Sequence, residues 1–345
     1  MRRVVVALSM LLAAGAAAQS QAPRIQVVAN DAGRRVDISI DGQPFTSYIY
    51  PTAQKKPSLY PLRTAHGGVV TRGWPLEPRP NERIDHPHHV GLWFNYGDVN
   101  GLDFWNNSND IGPDRAPKMG TIIHKRVVAA KGGKDEGQLD VEMDWVDARG
   151  TLILTEATSY VFRGDKDSRT IDRITKLTAA GAPVVFGDNK EGLIGMRLAR
   201  SLEQPVNTPD VFTDASGKET TIKVLNNEGV TGEYTGSDGK KGDKVWGTRG
   251  PWTMLTGKVN DRPVTLAIFD HPSNPGHPTY WHARGYGLFA ANNLGSKVFD
   301  PSAPEARLTV KPGESITFRH RILILDGAGD AARMTAEQKT FRETK

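Results

Sequence analysis

The chain has 345 residues, 38% hydrophobic and 24% charged, with 44 Lys and Arg against 39 Asp and Glu for a formal net charge of +5. Its basic residues are dispersed, Lys55-Lys56 and Lys240-Lys241 being only pairs, so nothing resembles a nucleic-acid stripe and no such partner is expected. There is no cysteine, which excludes disulfides and a lipoprotein attachment site. No nucleophile-elbow Ser, Gly-Lys-Ser/Thr phosphate loop or dinucleotide fingerprint stands in a credible setting, so serine hydrolase, ATPase and NAD enzyme lack support.

Met1-Arg2-Arg3, an apolar run from Val4 to Ala18 and the small pair Ala16 and Ala18 describe a secretory signal peptide over residues 1–18. That run is shorter than the ~20 residues of a membrane span, and no later segment approaches that length, so the mature protein is expected not to insert stably in a membrane. A cysteine-free exported chain suits a bacterial periplasm or the outside medium. Residues 19–345 are long enough for one large core and are read as a single domain.

Strand-like segments then follow in order. Residues 24–29 and 35–40 flank a turn at Asn30-Asp31-Ala32-Gly33, and Asp41-Gly42 opens a second hairpin. Further strands are expected over 120–130, 138–147, 151–163, 168–178, 183–188, 221–226, 253–259, 263–270, 286–291, 306–310 and 315–324. In the second of these, Val141, Met143 and Trp145 alternate with Glu142 and Asp144, so one face is buried, and Trp145 belongs to the core. The only good helix is 331–344. The pattern predicts an all-β fold, a large antiparallel β-sandwich with a short C-terminal helix.

Two motifs carry the chemistry. Asp85-His86-Pro87-His88-His89 precedes Gly91-Leu92-Trp93-Phe94, and Asp270-His271-Pro272 is followed by His277 and Trp281-His282. Pro87 disfavours helix at His86 and holds it extended, so His86 and His88 share a face while Asp85 and His89 point oppositely. Two imidazoles on one face, with His271, suit a divalent metal. They equally suit metal-free acid/base work, with Asp85 and Asp270 fixing the tautomers. His66, His124 and His320 stand alone and are read as structural.

The surroundings suit a sugar. Trp93, Trp105 and Trp281 offer flat faces to pyranose C–H groups, and Asp98 and Asn100 offer polar groups on a turn. Glu191, with Asp188 nearby, supplies an acid/base carboxylate after the apolar strand Val184-Val185-Phe186. Arg83 and Arg197 are candidates for a carboxylate or oxyanion.

These residues resemble the bacterial family labelled "PmoA family protein" or "methane oxygenase PmoA", a domain of otherwise unknown function. The matching pieces are Val70-Thr71-Arg72, Asp85 to His89, Gly91 to Phe94, Gly97 to Gly101, Asp103-Phe104-Trp105, Glu191-Gly192 and Gly195-Met196-Arg197. Asp270-His271-Pro272, Asn274-Pro275, Trp281-His282-Ala283-Arg284 and Tyr286 to Asn292 complete the set, over nearly all of the mature chain. Val90 and Tyr96 depart from the family's common Arg and His. Membrane methane monooxygenase subunits are multi-helix proteins, whereas this chain reads as strands. The resemblance therefore implies a carbohydrate-active sandwich similar to the galactose-mutarotase type. The expected protein is an exported glycoside-cleaving hydrolase or lyase, with a sugar epimerase or mutarotase, or a non-catalytic sugar-binding protein, as alternatives. In that reading His86, His88 and His271 hold the metal or form the acid/base centre. His282 or Glu191 protonates the leaving oxygen, Trp93 and Trp281 stack on the sugar, and Arg284 joins the substrate side.

Overall fold

The structure, a computed structural model, describes residues 24–344; the expected signal segment lies outside the described residues. Two eight-stranded antiparallel sheets face each other, as the strand-rich pattern predicts. The first runs, in spatial order, Ile25–Asn30, Arg35–Ile40, Gln43–Ile49, Ser58–Leu59, Leu92–Tyr96, Gly192–Arg197, Leu288–Asn292 and Tyr280–Arg284. The second runs Glu233–Gly236, Trp252–Val259, Arg262–Asp270, Ser315–Asp326, Ser168–Ala179, Leu152–Gly164, Gly137–Val146 and Thr121–Lys131. Local chemistry sets the early register. Ile40 pairs with Gln43 across Asp41 and Gly42, both in the left-handed region, which is what a tight two-residue hairpin turn needs.

Alternation along the strands builds the core. Leu139, Val141, Met143 and Trp145 point inward and meet Phe94, Ile194 and Phe289 from the first sheet. The helix, Ala331–Arg342, is capped by the Asp330 carboxylate, which accepts from the Arg333 amide at 2.8 Å. Its Met334 and Phe341 cover Trp252, Met254 and Phe269 on the outer face of the second sheet. No helix among the described residues is long and apolar enough to cross a membrane.

Two of the strands that the sequence pattern does not predict share one cause. Gly192–Arg197 and Tyr280–Arg284, which carry site residues, are buried on both faces over most of their length and so show no alternation to read. Their register positions the site. Trp93 pairs with Gly195, Gly195 with Ala290 and Ala290 with His282, so these four form one row across the first sheet. Arg197, Leu288 and Arg284 form the next row on the same face. That face points away from the inter-sheet core. Its Trp93, Leu288 and Ala290 form, with Trp105, a separate apolar floor.

Candidate functional site

A buried arginine folds the histidine loop. The Arg72 guanidinium donates to the main-chain carbonyls of Arg83 (3.2 Å), Asp85 (2.7 Å), His86 (3.0 Å) and His89 (3.2 Å), and to Asp85 Oδ1 at 2.6 Å. The His89 amide closes a turn on the His86 carbonyl at 2.9 Å, and His86 takes a left-handed φ of 47°. The expected extended geometry is therefore corrected. Pro87 excludes right-handed helix at His86 but leaves this turn open, and the Arg72 contacts select it.

The turn pairs the rings differently from the expectation. His86 stacks on His89, with centroids 4.8 Å apart and planes 3° apart, whereas His88 stands edge-on to both. His86 is also parallel to Tyr286 at 5.2 Å, and His89 lies on Trp93 at 4.9 Å. Trp93 and Trp105 rest over Gly195, where an added Cβ would come within 2.7 Å and 2.9 Å of their rings.

Asp85 is the electrostatic centre. Its Oδ1 accepts from both Arg72 and Arg197, and its Oδ2 lies 2.6 Å from His86 Nδ1. Burial pushes its pKa up, but Arg197, the His86 hydrogen bond and Arg72 outweigh burial and hold it far below the carboxylate range. The ionised Asp85 places the His86 proton on Nδ1, and the His86 side chain is 41% exposed, leaving Nε2 for a ligand. Arg197, with no exposure, also lies 4.8 Å from the Tyr286 ring centre. Burial raises the Tyr286 phenol to about 12, Arg197 opposing, so it remains a donor at neutral pH.

Glu191 and His282 complete the group. Glu191 pairs with Lys190, and its Oε2 is 3.8 Å from His282 Nδ1. Burial first, then Lys190 and Arg284, lower the His282 pKa to about 3, so its ring is neutral. Burial, then Lys56, likewise lowers His88 to about 2. The open face therefore presents His86, Tyr286, Glu191 and Lys190, with Arg284 exposed in the neighbouring strand.

Several expected site residues lie elsewhere. Asp270 and His271 do not join the first motif. The Asp270 carboxylate is fully buried and accepts from Asn274 (2.8 Å), Asn293 (2.7 Å) and the Thr279 amide (3.0 Å), with His277 Nδ1 at 2.7 Å. It ties together its own loop. His271 bonds Ser273 at 2.8 Å and meets Phe341 of the C-terminal helix. His86, His88 and His271 thus do not gather. Among the described residues no group of three or more His, Asp or Glu is placed to hold a metal, and the residues do not fit the expected divalent ion.

Trp93, Trp105 and Trp281 have no exposure, and Trp281 points into the inter-sheet core, so none offers a face to a sugar. Asp98 caps the Gly101 amide at 2.9 Å, and Asn100 holds the Val185 amide at 2.8 Å, so both shape their loop. Arg83 is spent on Glu203 and Asp210, each at 2.7 Å. Asp188 caps the amides of Ser296, Lys297 and Ala306 and does not pair with Glu191. Sequence reasoning missed Arg72 and Tyr286 as site residues. Arg72 follows the bridged Thr71 in an irregular segment and Tyr286 sits in a hairpin turn, so strand periodicity marks neither.

The family model described as "Family of unknown function (DUF6807)" matches residues 35–339. No curated protein matches the chain. Among solved structures, a GH36 α-galactosidase from Geobacillus stearothermophilus is similar at a TM-score of 0.40 and 12% identity, over 88% of this chain and 41% of that one. A galactose mutarotase-like protein from Clostridium acetobutylicum is similar at 0.39 and 10% identity, over 89% of this chain and 100% of that one. Galactose 1-epimerase from Lactobacillus acidophilus is similar at 0.36 and 11% identity, again over 89% and 100%.

Proposed function

The chain belongs to the DUF6807 family of unknown function, and we propose that it is an exported carbohydrate-active enzyme that interconverts sugar epimers or anomers by proton transfer between His86 and Glu191. One observation carries the reading: an exposed imidazole, held by an ionised aspartate, stacks on Tyr286, whose phenol also feels the Glu191 charge. Asp85 holds His86 through Nδ1, so Nε2 is the atom that exchanges a proton with a sugar oxygen. Glu191, beside Lys190, serves as the base. Tyr286 and Arg284 supply donors to hydroxyl groups, and neutral His282 lies 3.8 Å from the Glu191 carboxylate. The same geometry disfavours the hydrolase reading. Two-carboxylate hydrolysis needs a second carboxyl free to act, and Asp85 is clamped between two guanidinium groups.

The test is a nuclear magnetic resonance screen of aldoses and their keto derivatives for anomer exchange and deuterium wash-in. His86→Gln and Glu191→Gln should each lower turnover about 10²- to 10⁴-fold, the usual contribution of a positioned acid or base. Full turnover in both variants overturns the assignment. Binding of glycans without any product from the wild type would instead establish a sugar-binding protein, and oxygen uptake with bound copper would restore the oxygenase label.

A further inference from the structure

Behind His86 the same loop walls a cavity of about 420 Å³, whose lining joins Trp74 and Val90 to Gln54, Lys56, Ser58 and His88. Four polar atoms on residues of that lining are buried without any partner in the protein: both amide atoms of Gln54, Ser58 Oγ and His88 Nε2. Buried polar groups in folded proteins are hydrogen-bonded with few exceptions, so four orphans around one hollow point to a ligand's polar atoms. Lys56 is the second observation. It is 6% exposed, and its ammonium meets only the carbonyls of His88 at 2.9 Å and Trp105 at 3.5 Å, with the Trp93 ring 5.6 Å away. Among the described residues no carboxylate lies within ion-pair reach of it. The two acidic side chains in the lining do not compensate: Glu219 accepts the Trp74 indole N–H at 2.6 Å, and Asp110 is exposed.

We propose that this cavity is a binding site for a sugar acid, with the carboxylate on Lys56 and the hydroxyl groups on Gln54, Ser58 and His88. A buried cation without a counter-charge selects an anion, and burial, only partly opposed by Asp103, lowers Lys56 to about 7, a state that an arriving carboxylate reverses. The orphaned amide, hydroxyl and imidazole add donors and acceptors at a spread suited to a polyol. The volume lies within the range of ligand pockets. This site does not rest on the His86–Glu191 reading; it shares only the loop wall.

Calorimetry on the full chain with D-glucuronate, D-glucose and acetate tests it. Glucuronate should bind at least 10-fold tighter than either of the others. Lys56→Met should weaken glucuronate binding 10-fold or more. Because Lys56 also braces the loop, Gln54→Leu provides the second variant, with a several-fold loss at an unchanged melting temperature. His86→Gln should leave glucuronate binding intact, which separates this site from the acid/base pair. Equal affinity for glucose or acetate, no saturable glucuronate binding, or unchanged binding in both cavity variants overturns the proposal.

Discussion

Asp85 does two things at once, and a single atom governs both. Its charge is shared between Arg72 and Arg197, whose side chains are 1% and 0% exposed, and its Oδ2 fixes the tautomer of His86. Asp85→Asn keeps the shape but removes the charge. Two buried guanidinium groups then lack a counter-ion, which should cost about 3 kcal/mol or more of unfolding free energy in urea melts. An amide N–H turned toward His86 Nδ1 would also move the ring proton to Nε2, so turnover should fall with stability. A variant within 0.5 kcal/mol of wild type would show that Asp85 is not the counter-charge. Of this arrangement, the sequence made the Asp85–His86 pairing readable from adjacency. Arg197 reads as a carboxylate binder, but its pairing with Asp85, 112 residues away, is not readable, and neither are the role of Arg72 and the left-handed turn, which no pre-proline rule anticipates.

At the scale of elements, the strands that alternate were readable and those buried on both faces were not. Gly137–Val146 declared itself through Leu139, Val141, Met143 and Trp145, whereas Gly192–Arg197 reads as an unpatterned apolar run. Trp93 departs from its expected role for a related reason. An aromatic on the outer face of a sheet looks available to ligand until a covering loop is known, and here the histidine turn lies on Trp93. Gly195 is where strand and loop meet. Gly195→Ala puts a methyl against rigid indole rings, so Trp93 and Trp105 must move and carry His89 with them. A loss of about 1–3 kcal/mol is expected from such overpacking, together with a changed near-ultraviolet circular dichroism and lowered turnover. Unaltered aromatic dichroism would mean that the rings do not depend on that contact.

For the whole molecule, the buried histidines make stability a function of pH. Burial is the leading cause in each case: it takes His282 to about 3 and His320 to about 4, and it holds His89 well below its usual value. All three are neutral in the folded protein at pH 5, while in the unfolded chain they titrate near 6.5 and are protonated. The unfolded state then binds more protons, so stability falls as pH drops below about 6.5. Each such group gives a slope of roughly 1.4 kcal/mol per pH unit once its unfolded histidine is charged. Asp85 adds to the loss further down, because its folded pKa is depressed and its contribution disappears as pH falls through and below the usual carboxylate range. Urea midpoints should therefore drop steeply from pH 6.5 to 5 and rise further between pH 7 and 8, where Lys56, lowered to about 7, has lost its proton in the folded state but keeps it in the unfolded chain. His320→Gln, which can still reach the Asn293 side chain that His320 Nε2 meets at 2.9 Å, should flatten that slope by about one proton. Midpoints at pH 5 equal to those at pH 7 would mean that the buried rings are protonated in the native state, and with them the neutral His282 on which the acid/base pair leans.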